Sequence, residues 1–258
     1  MDLQLTDKRA LVLGASSGLG AAIAEGLARE GASVVAAARR VERIEAWRDA
    51  LPADAAARVT PLRCDLGDPA SVDGMLAEVG AVDILVGNAG GPPPGPATAF
   101  GREDWAKAFN GMAASLFHIA SALAPGMIAR GWGRILTIGS SAIEQPVPNL
   151  ALSNGVRGAI AGWSKTLAGE LTPHGVTVNI ILPGRIHTDR VDALDAANAE
   201  RQGKSPAEVA AASVASIPAG RYGAPKEFAD VAVFLVSGRA SYITGSMVRV
   251  DGGMIRSI

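Results

Sequence analysis

Leu11-Val-Leu-Gly-Ala-Ser-Ser-Gly-Leu-Gly20 is the stretch that decides how this chain is read. An apolar run from Ala10 to Leu13 meets glycines at 14, 18 and 20, and a helix-forming run follows from Ala21 to Arg29. The order is strand, tight turn, helix. Glycine tolerates positive φ and lets the backbone come close to a ligand. The helix N-terminus adds unpaired N–H groups at the positive end of its dipole, a seat for the pyrophosphate of a dinucleotide. The spacing is G-x-x-x-G-x-G, not the commoner G-x-G-x-x-G, and taken alone it also suits an ordinary glycine-rich turn.

Outward from this turn, short apolar runs alternate with alanine-rich helical segments. The runs are Ser33–Ala37, Val59–Arg63, Ile84–Val86, Ile135–Ile138 and Val176–Ile181, with a last one from Met247 to Val250. Such alternation predicts an α/β fold: a Rossmann-type doubly wound parallel sheet of about seven strands, with helices on both faces. No linker composition or internal repeat divides residues 1–258, so one domain is expected. The polar, alanine-rich stretch Asp189–Pro218 lies just past a strand end and carries the helix start Ser205-Pro-Ala-Glu. It reads either as a small helical lid over a substrate or as a plain surface helix pair.

Composition narrows the function classes. A formal net charge of −1 gives no field to attract nucleic acid or an anionic membrane. The single Cys64 excludes internal disulfides and a multi-cysteine metal site, and suits a reducing, cytoplasmic setting. The three histidines are scattered, so no metal site is expected. Met1 to Lys8 has no apolar signal core, and no uninterrupted apolar stretch of membrane-spanning length is read.

Further motifs follow the glycine turn in order. Cys64-Asp65-Leu66 ends the third strand and Gly87-Asn88-Ala89-Gly90 the fourth. Gly133-Arg134-Ile135 opens the fifth, which ends at Gly139-Ser140-Ser141. Leu167-Ala-Gly-Glu-Leu171, Val178-Asn179, Pro183-Gly184 and Asp251-Gly252-Gly253 complete the series. Over essentially its whole length the chain resembles the short-chain dehydrogenase/reductase family, nearest to members of the 3-oxoacyl-acyl-carrier-protein reductase type. The resemblance implies roles for matching positions. Gly14, Ser16, Ser17, Gly18, Leu19 and Gly20 would line the pyrophosphate, and Asp65 and Leu66 the adenine. Asn88, Ala89 and Gly90 would lie near the adenosine ribose, Asn88 either in contact or only as a brace between strands. Pro183, Gly184, Ile186 and Thr188 would hold the nicotinamide amide. Family members associate as dimers or tetramers, so a homo-oligomer is expected, and Met112–Met127 is apolar enough to serve as its interface.

The second strand decides between the two nicotinamide cofactors. A carboxylate at its end would hold a ribose without 2′-phosphate. Here the end reads Ala36-Ala37-Ala38-Arg39-Arg40. The acid is absent, and a guanidinium can pair with a phosphate and stack on adenine, so Arg39 and Arg40 favour NADP(H) over NAD(H).

The catalytic pattern departs from the family's, which uses a serine, a tyrosine, a lysine four residues later and an asparagine. Ser141 matches the serine. Counting back from Leu167 puts Ser153 at the tyrosine position and Arg157 at the lysine position, where Arg157 would hydrogen-bond the nicotinamide ribose and Ser153 would contact the reacting oxygen. The only tyrosines, Tyr222 and Tyr242, fall in C-terminal motifs. Met112 stands at the asparagine position. Asn110, two residues earlier, is rotated about 200° around a helix. Glu144 or His187 would be replacement proton donors, unless they are a solvated loop carboxylate and a loop histidine. Arg185 would bind an anionic substrate group. The sequence thus points to an NADP(H)-dependent oxidoreductase of a small carbonyl or alcohol, with a non-standard proton donor. A dinucleotide-binding sensor or scaffold without turnover, and a non-redox lyase or isomerase in the same pocket, are the alternatives.

Overall fold

The computed structural model describes residues 1–257. In chain order the strands are β1 (Arg9–Leu13), β2 (Ser33–Ala38), β3 (Val59–Arg63), β4 (Ile84–Gly87), β5 (Gly133–Ile138), β6 (Val176–Pro183) and β7 (Met247–Val250). The helices are α1 (Gly18–Arg29), α2 (Val41–Asp49), α3 (Ala53–Ala56), α4 (Pro69–Val79), α5 (Arg102–Phe109), α6 (Ser115–Arg130), α7 (Ala151–Leu171), α8 (Asp189–Gln202), α9 (Pro206–Ala215) and α10 (Pro225–Leu235). All seven strands join one parallel sheet in the order β3-β2-β1-β4-β5-β6-β7. The chain therefore leaves β1 first in one direction and then in the other. The crevice between the C-terminal ends of β1 and β4 is the switch point at which doubly wound sheets bind ligands.

The central strands are buried on both faces, which is why they read as continuous Val, Ile and Leu runs. One face of the sheet packs with α1 and α10 around Ile23, Leu27 and Phe228. The other packs with α4, α6 and α7 around Met75, Ile119 and Ile160. The expected strands are all present, each within a few residues of its sequence bounds. Ser205 caps α9 and Glu208 caps it in return, as the Ser205-Pro-Ala-Glu motif predicts.

Arg102–Arg130 is a continuous helix of 29 residues, long and apolar enough by length and composition to cross a membrane. Its apolar stripe, including Leu116, Ile119, Leu123 and Met127, is buried within this α/β core instead. A π-helical turn at Asn110–Ala114 joins α5 to α6. It leaves Met112 buried and Asn110 exposed, in line with the helical rotation read from the sequence.

The start of α10 is fixed by charge. Arg221 donates to both oxygens of Glu227, at 2.8 and 2.6 Å, and Glu227 also accepts the Ala224 N–H at 2.7 Å. These partners hold the Glu227 carboxyl down at about 2 from its usual 4.5. A depressed carboxylate stabilises the fold above its unfolded value and loses that contribution as pH falls through the folded value. Glu227→Gln is therefore expected to lower the urea midpoint at pH 7, with the gap to wild type narrowing below about pH 4.5. A gap unchanged at pH 3 would contradict the assignment.

Candidate active site

The glycine turn is built by close approach. Gly14 and Gly18 have φ of +61° and +59°. A Cβ on Gly14 would lie 2.7 Å from both Nδ2 and the backbone oxygen of Asn88, and one on Gly20 would lie 2.7 Å from the same Nδ2. Asn88 donates to the Gly14 carbonyl at 3.2 Å, so its amide braces β1 against β4. A second brace escaped the sequence reading: Trp47 of α2 donates its indole N–H to the Ala15 carbonyl at 2.9 Å. A lone tryptophan in the charged run Val41–Asp49 was its only signal. Ser17 stands at the N-cap of α1 without using its hydroxyl there, and Ser16 is half-buried beside it. Leu19 packs on the core below.

At the adenosine end, β2 finishes in buried Ala38, and Arg39 and Arg40 follow it exposed. Neither has a carboxylate partner among the described residues. The Cys64 N–H donates to the Ala38 carbonyl at 3.0 Å, which sets Asp65 and Leu66 beside the end of β2. Asp65 closes its own turn by accepting the Gly67 N–H, and the Leu66 carbonyl accepts the Ser115 hydroxyl. Burial pushes the Cys64 thiol up, away from reactivity.

At the other end, the Gly184 N–H donates to Val250, and a Cβ on Gly184 would lie 2.6 Å from the Asp251 Cα. Gly184 and Pro183 thus run tight against the closing Asp251-Gly-Gly turn. Ile186 pairs with Gly223 through bonds carried by its neighbours: Gly223 donates to Arg185 and His187 donates to Gly223. The Ile186 side chain is buried in the core. Its own N–H and C=O stay outside the bridge, with only a long 3.4 Å bond from the Thr188 hydroxyl to the carbonyl. Thr188 faces Gly18 across the cleft, 3.5 Å from where a Cβ would stand. Ala89 is half-buried and Gly90 exposed at the β4 end.

The serine and arginine candidates come together where α7 packs on the turn after β5. Ser140 caps that turn by accepting the Ala142 N–H, which leaves the buried Ser141 hydroxyl free of a capping duty. Arg157 donates from Nε to the Ser153 hydroxyl at 3.3 Å and from Nη1 to the Ile138 and Gly139 carbonyls, each at 2.9 Å. Burial, with the Arg190 charge nearby, holds the Arg157 guanidinium down at about 10. It is still a full cation at neutral pH, so it acts by charge and hydrogen bonding and not as a titrating acid. Its side chain lines a space of only about 10 Å³ beside Asn88, Ala89 and Met112.

The two candidate replacement proton donors each lie against another side chain. Glu144 forms an ion pair with Arg249 of β7. His187 is exposed, lies 3.3 Å from Asp192, and lines a separate cavity of 360 Å³ with Val214, Arg221 and Tyr222. Neither is a free acid beside Ser141. Arg185 is likewise committed, to buried Asp195 at 2.8 Å. The Tyr222 hydroxyl donates to the other oxygen of Asp195 at 2.6 Å; burial and this carboxylate push its phenol up. Tyr242 is fully exposed.

A family profile described as enoyl-(acyl carrier protein) reductase matches residues 14–255. The chain is 37% identical over 251 residues to the 3-oxoacyl-[acyl-carrier-protein] reductase FabG of Escherichia coli (strain K12), covering 96% of this chain and 97% of that one. It is 33% identical over 257 residues to gluconate 5-dehydrogenase of Gluconobacter oxydans (strain 621H), covering 98% and 97%. Among solved structures, L-sorbose reductase from Gluconobacter frateurii, complexed with NADPH and L-sorbose, superposes with a TM-score of 0.93 at 33% identity over 100% of both chains. YwfH, an NADPH-dependent reductase involved in bacilysin biosynthesis, gives 0.89 at 30% identity over 98% and 100%. The chain belongs to the short-chain dehydrogenase/reductase family, a family of oxidoreductases.

Trp47→Phe keeps the ring and removes the bond to Ala15. The expected cost is about 1 kcal/mol, read as a Tm lower by about 2–4 °C. An unchanged Tm would show that the bond does not brace the turn.

Proposed function

We propose that this chain is an NADP(H)-dependent oxidoreductase of a small carbonyl or alcohol in which Ser153 and Arg157 stand where the family carries tyrosine and lysine. The observation that carries the reading is the half-buried Arg157 cation, clamped between the Ser153 hydroxyl and the β5 carbonyls beside a free Ser141. The residues fit the cofactor. The Gly14–Gly20 turn and α1 would take the pyrophosphate, and the Ile186 backbone pair the carboxamide. Arg39 and Arg40 would take a 2′-phosphate. The structural relatives named with NADPH support the same choice. When bound, the nicotinamide supplies the hydride chemistry.

The protein's share is polar. Ser141 donates to the substrate oxygen and fixes its position. Ser153 accepts from Arg157 and directs its own proton at the same oxygen. Arg157 stabilises negative charge developing there, the preorganised electrostatic contribution that is often the largest in catalysis. A serine hydroxyl is a far weaker acid than a phenol of pKa about 10. Positioned acid catalysis is worth about 10²–10⁴-fold, so slow turnover is expected. The same absence of a phenol favours, as second reading, a dinucleotide-binding sensor without turnover. We further propose a homo-oligomer formed through the outer faces of α6 and α7, where Phe117 stacks on Trp163 at 4.3 Å and Phe109 is exposed.

Two substitutions test the reading. Arg39→Ala is expected to weaken NADPH about tenfold or more while leaving NADH nearly unchanged; equal losses would remove the 2′-phosphate assignment. Ser153→Tyr with Arg157→Lys is expected to raise ketone reduction. No gain in a folded variant that still binds NADPH would mean that the pocket runs other chemistry.

A further inference from the structure

Asp195, in α8, is the only buried carboxylate among the described residues, and both of its oxygens are in use. Oδ1 accepts from Nη1 of Arg185 at 2.8 Å, and Oδ2 accepts the Tyr222 hydroxyl at 2.6 Å. Those two donors sit at matching places in the chain. Arg185 precedes Ile186 and Tyr222 precedes Gly223, and Ile186 and Gly223 are the two residues of the parallel bridge. The bridge bonds run from the Gly223 N–H to the Arg185 carbonyl at 3.0 Å and from the His187 N–H to the Gly223 carbonyl at 2.9 Å. They use one edge of the segment 185–187, so the Ile186 N–H and C=O point to the other edge. The segment continues into Thr188, which faces Gly18 of the glycine turn.

A buried ion pair is a poor way merely to attach a helix. An apolar contact of similar volume often serves as well or better, because both charges must leave water. What a carboxylate adds is direction: charge-assisted hydrogen bonds from two donors fix where both side chains stand. Here one carboxylate sets both strands of the bridge at once. We propose that Asp195 is a positioning residue for the cofactor. By holding Arg185 and Tyr222 it fixes the Ile186–Gly223 bridge, and so sets the Ile186 N–H and C=O for the nicotinamide carboxamide. This deepens the oxidoreductase reading and rests on it. Because Asp195 belongs to α8, that helix and the carboxamide seat are held by the same group. The neighbouring acid of α8, Asp192, has no share in this: it is exposed and lies 3.3 Å from the exposed His187.

The probe that separates this role from general support of the cleft is 2′-phospho-ADP-ribose, which is NADPH without its nicotinamide ring. Its affinity and that of NADPH are measured by calorimetry on the full chain, for wild type, Tyr222→Phe and Asp195→Ala. Wild type is expected to bind NADPH about tenfold more tightly than the probe, as two hydrogen bonds to the carboxamide would give. Tyr222→Phe removes one arm of the clamp and keeps the ring, and should cut that preference about threefold. Asp195→Ala removes both arms and should erase it. Affinity for 2′-phospho-ADP-ribose should be unchanged in each variant. A preference that keeps its wild-type value in either variant would overturn the proposal. So would an equal loss of both ligands, which would make Asp195 a support of the whole cleft. If Asp195→Ala does not fold, Tyr222→Phe decides alone by the same results. Equal affinities in wild type would also overturn the proposal, with the dinucleotide site left standing. Binding of neither ligand by wild type is a separate outcome that sinks the oxidoreductase reading, and this proposal with it.

Discussion

Two backbone segments meet where only glycine fits. The end of β1 and the end of β4 approach so closely that a Cβ on Gly14 or Gly20 would press within 2.7 Å of Asn88. That contact holds open the crevice at the switch point of the sheet and aims the N-terminus of α1 into it. Around it the other walls take their positions. Trp47 ties α2 to the turn, Cys64 ties the end of β3 to β2, and Thr188 faces Gly18 from the far side. The cleft is thus a consequence of sheet order and close packing, and it survives changes to the side chains that do chemistry inside it.

The reacting end shows what such a change does. Arg157 fills its space and bonds to strand carbonyls that end β5. A planar, permanently charged fork is not a flexible ammonium, and here its Nε donates to the Ser153 hydroxyl. On the proposed reading the site is rich in fixed positive charge and lacks a phenol. Glu144 pairs with Arg249 and Arg185 with Asp195, while His187 lies 3.3 Å from Asp192.

Much of the fold was legible because its determinants are local. Buried parallel strands announce themselves as apolar runs, and the glycine turn and the Ser205 capping box are short-range patterns. The cofactor cleft followed from motif order, and the exposure of Asn110 followed from helical rotation. What the sequence hid were pairings between distant residues. Nothing near Glu144 in the chain signals Arg249 on the edge strand, and nothing near Arg185 signals that Asp195 lies against it. The 29-residue helix contains Gly111 and Pro125, breakers in an isolated sequence that the folded helix absorbs.

The central claim is that the cleft is an intact NADP(H) site whose preference lies in Arg39 and Arg40. Its most direct test is a titration of the purified protein with NADPH and with NADH, followed by energy transfer from tryptophan to the nicotinamide. Trp47, bonded to the turn itself, places a donor at the cleft. The account predicts saturable transfer with NADPH at concentrations where NADH gives little. Tighter binding of NADH, or no transfer from either, would contradict it.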